Sequence, residues 1–460
     1  MRISWVIIVG VLGLAVGAAG QSGRSDEAPT PAQGIELRLI EFSNAAAITI
    51  DSRRALANPV PGWQLDRFAR HRTEQMGPEL QAVLDALPER SHWAIDNAEE
   101  HRFQVVLGLI ERDEFGLEHL RRQSFRVDAE YFYPASTKKL FAAIAALESI
   151  DPHEMPRGRV IDPAPFSELV YMPIEDESRR YRPAPDQPFF IEHEIWKLFV
   201  VSDNPAFNRL YDLLGRDEIN KRMHDAGLWS VRVTHRLAIP LPEEEQSIFP
   251  AIGTPTTHPR HGFPMLREIL PRRTGDPTPQ APRIEGLTAG DRYLRAGEMV
   301  EEPFDFTQRS SVRLDDLLRA LVKVARPDLD DFGKPFAITA RQRALLLMSM
   351  GAFPRESNDP VYDGSRHTDD FVKYLLPGLA KVRPAEEWRI YNKVGMAYGF
   401  VTENAYVVHI PTGKAFFLAA TVYTNKNRTL NDNTYEYDTK ALPLMADLGE
   451  AAARLVLDGH

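Results

Sequence analysis

Apolar residues recur along this chain with two periods, and the switches between them delimit the expected elements. Strand-like runs occur at Phe103-Gln-Val-Val-Leu-Gly-Leu-Ile-Glu111 and through Phe125-Arg-Val127, which read together as a hairpin. A second hairpin joins Ala405-Tyr-Val-Val-His-Ile410 to Ala415-Phe-Phe-Leu-Ala-Ala-Thr-Val-Tyr423 through the turn Pro411-Thr-Gly-Lys414. Trp388-Arg-Ile-Tyr391 adds a short strand. Helical spacing appears from Glu79 to Leu87, in the alanine-rich run Leu140 to Leu147, from Pro205 to a glycine stop at Gly215, from Arg313 to Val322, from Thr339 to Met348, and from about Leu442 to Leu457. There are no internal repeats.

The first hundred residues read differently. Met1-Arg2 precedes an apolar run from Trp5 to Ala19, with small residues at Ala18 and Gly20, the pattern of a secretory signal peptide over residues 1–20. No cysteine follows for lipid attachment, and the run is short for a membrane anchor, so the expectation is a periplasmic or secreted protein with no stable membrane anchor after cleavage. Residues 21–34 lack apolar periodicity and read as a flexible tether. Residues 35–98 hold a strand-like start, Ile35 to Ile40, and the Glu79–Leu87 helix, and are expected to form an N-terminal appendage.

Composition narrows the chemistry. With no cysteine in 460 residues, thiol nucleophiles, disulfides and Cys-bearing zinc sites are ruled out. A net charge of −10 argues against a nucleic-acid partner, and a hydrophobic fraction of 43% suits a buried core.

Ser136-Thr-Lys-Lys139 places a hydroxyl and an amine three residues apart where a helix begins. A neutral amine there can take the serine proton, and a helix N-terminus favours developing negative charge. Two further triplets follow in order: Ser202-Asp-Asn204, after the apolar segment Ile195 to Val201, and Lys393-Val-Gly395, after the strand at Trp388. Ser-x-x-Lys, Ser-Asp-Asn and Lys-Thr-Gly are the signature of class A β-lactamases and penicillin-binding proteins. The chain resembles that family, with Val394 in place of the threonine, over roughly residues 100 to 458.

The resemblance implies an α/β fold of α+β type: an antiparallel sheet flanked by helices, an all-helical lobe, and the site in the groove between them. It also implies roles. Ser136 would attack a carbonyl; Lys139, its pKa lowered by burial and by Lys393, would act as base; Ser202 would relay a proton to the leaving nitrogen. Asn204 would bind the substrate amide and fix Lys139, Lys393 and Gly395 would complete the substrate side, and the N–H groups of Ser136 and Met396 would form an oxyanion hole. No cofactor or metal is implied. The expected partner is a small-molecule or peptide substrate, either a β-lactam or a cell-wall peptide.

Nearly 190 residues separate the second and third motifs, more than the family usually has, and the surplus is placed as an insertion at about 240–308, where prolines cluster. The hydrolase domain is thus read as residues 99–460. Two departures bear on activity. Leu237 and Ala238 stand where the family carries its deacylating glutamate, with Glu243-Glu244-Glu245 several residues on, and both carboxylate anchors are weakened by Val394 and Thr402. These departures keep a D-alanyl-D-alanine peptidase, another amide or ester hydrolase, and a non-catalytic binding module beside the β-lactamase-like hydrolase. Elsewhere, His193, His258 and His261 lack ligand spacing and read as surface histidines. Asn427-Arg-Thr429 matches a glycosylation acceptor, relevant only in a eukaryotic secretory route. Tyr391 and Tyr398 flank the third motif, as groove lining or as packing.

Overall fold

The computed structural model describes residues 74–459 apart from 128, 150–167, 172–188, 240–247, 250–251, 258–263, 270–271, 274–285 and 331–332. The signal peptide, the tether, Ile35–Ile40, Glu243 to Glu245, His258 and His261 lie outside the described residues.

A seven-stranded sheet organises the molecule. In chain order the elements are β1 (Glu74–Gln75), α1 (Pro78–Asp85), β2 (Gln104–Arg112), β3 (Glu118–Phe125), α2 (Lys139–Ser149), α3 (Ile191–Val200), α4 (Asn204–Leu214), α5 (Arg216–Asp225), α6 (Leu314–Ala325), α7 (Ala340–Gly351), α8 (Leu376–Val382), β4 (Trp388–Asn392), β5 (Gly395–Ala397), β6 (Phe400–His409), β7 (Ala415–Tyr423) and α9 (Leu442–Asp458). The strand order is β1-β3-β2-β7-β6-β4, with β5 also on β6. Every pair is antiparallel except β1 with β3. Both expected hairpins are present, and the α+β architecture implied by the resemblance is the one observed.

The two-residue period of the strands divides the core. Val106, Phe417 and Ala419 face a cluster built on α2, whereas Val105, Leu107, Leu418 and Ala420 face one built on α1, α8 and α9. Helix α2 is buried on all sides from Lys139 to Leu147, which explains why that alanine-rich run has no polar face.

Two expectations change. Leu80, Val83 and Leu84 of α1 share one cluster with Leu448 and Ala452 of α9, and β1 adds to the sheet edge, so residues 74–98 pack into the same core as the sheet and do not stand apart as an appendage. The proline-rich segment between α5 and α6 contains short strands: Ile252–Thr257 pairs with Pro264–Ile269, and Arg292–Arg295 pairs with Glu298–Val300. The second hairpin is fastened to the body, because Arg292 and Tyr293 run parallel to Thr429 and Leu430.

Candidate active site

Ser136 stands on a single 3-10 turn, Ala135–Lys138, that runs directly into α2. Thr137 tightens the turn by donating to Pro134 O from its hydroxyl at 2.7 Å and from its N–H at 2.9 Å. Ala135 is held at φ +45°, a conformation that costs an alanine energy and persists only where packing imposes it. Ser136 is half-buried and faces a cleft of about 840 Å³; its hydroxyl makes no hydrogen bond among the described residues. Strand β5 lies against the turn. A Cβ on Gly395 would stand 2.4 Å from Pro134 O and 3.2 Å from Ser136 N, so only glycine lets Met396 come alongside the serine N–H.

The second and third motifs meet around two amines. Lys139 Nζ donates to Asn204 Oδ1 at 2.7 Å, to Ser202 Oγ at 3.1 Å, and to the Ser202 carbonyl. Lys393 Nζ donates to the same Ser202 Oγ at 2.8 Å and to Val394 O at 2.9 Å. An oxygen that accepts twice has its own hydrogen left to donate, which suits a proton relay. Ser202 sits at φ +59°, the strained conformation that turns its side chain between the two lysines, and Asp203 caps α4 by accepting from Ala206 N at 2.6 Å.

Burial governs the charges here. It brings the Lys139 ammonium down to about 7, Asp203 opposing; the cation that adds to the lowering is Lys138, not Lys393 as the sequence suggested. Lys393 is pushed well below the usual lysine range by burial and then by Lys139. Behind it, Asn392 Nδ2 donates to Glu403 Oε1 at 2.7 Å and Lys373 Nζ donates to Asn392 Oδ1 at 2.7 Å. Burial raises the Glu403 carboxyl to about 7 and lowers Lys373 to about 7.

On the opposite wall, Asn208 of α4 grips Leu237 at both backbone atoms: Nδ2 donates to Leu237 O at 2.9 Å, and Leu237 N donates to Oδ1 at 2.8 Å. Leu237, Ala238 and Ile239 line the cleft, so the wall facing Ser136 offers alkyl groups where a carboxylate was sought. Val394 is buried, and Thr402 is fully buried with its hydroxyl 2.8 Å from that of Thr421, so neither side chain reaches a substrate.

A family model described as "Beta-lactamase enzyme family" matches residues 118–280, a stretch that carries the first two motifs. Among solved structures, the chain is similar to a β-lactamase from Desulfarculus baarsii DSM 2075 at 16% identity, covering 82% of this chain and 98% of that one with a TM-score of 0.43. It is similar to one from Sphaerobacter thermophilus DSM 20745 at 13%, covering 82% and 96% with 0.41. A representative of class A β-lactamase from Bacteroides cellulosilyticus DSM 14838 stands at 11%, 82% and 98% with 0.44. These scores lie below 0.5, and the chemistry of the site rests on this chain's own side chains. No curated protein matches in sequence.

Of the seven residues singled out from sequence, Lys139, Ser202, Asn204 and Lys393 meet through their side chains, Ser136, Asn204 and Met396 line the cleft, and Gly395 lies against the Ser136 turn. Tyr398 lines the cleft, whereas Tyr391 is buried against Tyr406 with ring centroids 5.9 Å apart and serves packing. His193 Nε2 lies 3.1 Å from the Asp359 carbonyl oxygen, and among the described residues no cluster could hold a metal. Sequence reasoning missed Lys138, which is fully buried, donates to His235 O at 2.8 Å and to Ser310 Oγ at 3.2 Å, and ties the Leu237 wall to the nucleophile turn. The adjacent pair Lys138-Lys139 was the available signal.

Proposed function

We propose that the protein is an exported serine acyl-transfer hydrolase that cleaves an amide bond through an acyl-enzyme on Ser136. One observation carries the reading: two buried amines converge on Ser202 Oγ beside an uncommitted Ser136 hydroxyl. Lys139, neutral above about pH 7, takes the Ser136 proton as Oγ attacks the carbonyl. The N–H groups of Ser136 and Met396 hold the oxyanion. Ser202 then passes its own proton to the departing nitrogen and is recharged through the amines. Asn204 binds the substrate amide.

A second reading is favoured by a specific feature. Leu237 leaves the far wall without a base for water, which supports a D-alanyl-D-alanine peptidase or a related amide or ester hydrolase with slow β-lactam turnover over an efficient β-lactamase. Time-resolved mass spectrometry with a fluorescent penicillin tests both. A Ser136 adduct that persists supports the peptidase-type enzyme, an adduct that vanishes within the first turnovers supports a β-lactamase, and no adduct would leave a non-catalytic binding module.

A further inference from the structure

The cleft does not extend equally on both sides of Ser136. Its lining includes Asn204, Leu237, Phe304, Arg309 and Met396, whereas Ser202 and Lys393, toward which the leaving nitrogen must point, are not part of it. The open volume therefore receives the acyl half of a substrate. Three arginines line it, and their situations differ. Arg236 is neutralised by Asp212 at 2.7 Å, and Arg295 donates to the Tyr293 hydroxyl at 2.8 Å. Arg309 has no carboxylate among the described residues, and its side chain donates no hydrogen bond there.

Arg309 is nevertheless held in place. Its N–H donates to Phe306 O at 2.8 Å, its carbonyl accepts from Arg232 at 3.1 Å, and its guanidinium lies over the Phe304 ring, 5.6 Å from the centroid. The carboxylates that share the cleft are turned elsewhere: Asp305 Oδ1 accepts from Thr307 N at 2.7 Å, and Glu302 Oε1 accepts from Tyr293 at 3.3 Å. Phe304 also packs on Tyr398 at 5.3 Å, so the cation is rimmed by rings. A half-buried guanidinium that is fixed, ring-stacked and without a counter-charge among the described residues is a ready partner for a carboxylate.

We propose that Arg309 is the anion anchor of the cleft, and that the substrate carries a carboxylate beside an apolar group on its acyl side, not only on its leaving side. This rests on the reading of Ser136 as nucleophile and gives that reaction its substrate class. The field of Arg309 adds to the lowering that burial imposes on Lys138 and, after Lys138 itself, on His235.

Carbenicillin and benzylpenicillin differ by one carboxylate on the acyl side chain, and the Ser136→Ala protein can bind both without reacting. Calorimetry should find carbenicillin at least tenfold tighter, tenfold being about 1.4 kcal/mol. Arg309→Ala in that background should erase the preference with benzylpenicillin affinity unchanged within about twofold, Arg309→Lys should keep part of it, and Arg295→Ala should keep it all. Equal or absent binding of the two ligands to Arg309-bearing protein overturns the anchor, as does a preference that survives Arg309→Ala or falls with Arg295→Ala. Wild-type protein that retains the preference yet forms no covalent adduct with either penicillin would overturn the acyl-enzyme reading and leave the anchor standing.

Discussion

Leu237 is locked to Asn208 through two hydrogen bonds, of 2.9 and 2.8 Å, and so presents an alkyl side chain to the cleft that Ser136 faces. Water entering behind an acyl-enzyme finds no base on that residue. A penicillin adduct should therefore outlast that of an efficient β-lactamase by about 10²- to 10⁴-fold, the usual worth of general-base help. Leu237→Glu, carried on the same fixed backbone, should accelerate deacylation toward that range. Pre-steady-state kinetics with a chromogenic cephalosporin reads both rates. Fast multiple turnover by the wild type that disappears when Glu243, Glu244 and Glu245 are all changed to Gln would put the base in that cluster instead.

Ser136 contributes its hydroxyl to no hydrogen bond among the described residues, so Ser136→Ala should remove all covalent labelling at almost no structural cost. Thermal unfolding should stay within about 0.5 kcal/mol of wild type, as for surface substitutions away from special contacts. Labelling that persists in the variant would assign the acyl group to another residue.

Lys139 sets an expected pH profile. With its ammonium lowered to about 7, the acylation rate should climb as pH rises through that value and then level off. Lys139→Arg should abolish the climb along with most of the rate. The same group has a stability signature. Between about pH 7 and the ordinary lysine value of 10.5 the unfolded chain binds the proton that the folded chain has lost, so stability rises with pH in that window, by up to about 1.4 kcal/mol per pH unit. Lys373 acts in the same direction, whereas Glu403, raised from 4.5 to about 7, makes stability fall with pH below that value. Denaturant titrations of wild type and Lys139→Met at several pH values above 7 should differ in slope; parallel curves would mean that Lys139 is charged in the folded protein.

Gly395 is a steric prerequisite for the oxyanion hole. A methyl group 2.4 Å from Pro134 O forces β5 away from the nucleophile turn. Gly395→Ala should slow acylation by about 10²- to 10³-fold, equivalent to losing one oxyanion donor. A variant acylating at the wild-type rate would show that the Met396 N–H is dispensable.

How much of this was legible in the sequence depended on range. Ser136, Lys139, Ser202, Asn204 and Lys393 were found because motif chemistry is written in local spacing, and the second hairpin because two apolar runs, buried on both faces, are joined by a short polar turn. Leu237 could be placed only approximately, since its position is fixed by a contact with Asn208 across 29 residues. Arg309 and Lys138 were missed for the same reason. Nothing in their neighbourhoods distinguishes a solvated cation from one facing a cleft or sealed beneath it. The short strands between α5 and α6 escaped because prolines and scarce apolar alternation concealed their pairing.

Four lysines, Lys138, Lys139, Lys373 and Lys393, are buried within this one site, and each ammonium is weakened there. Uncharged amines are nucleophiles in their own right. At neutral pH a small electrophile that can enter the protein, such as cyanate or an anhydride, should modify these amines out of proportion to their exposure, while ordinary surface lysines stay protonated and slow. The burial proposed to equip Lys139 as a base thus also leaves these amines open to carbamylation.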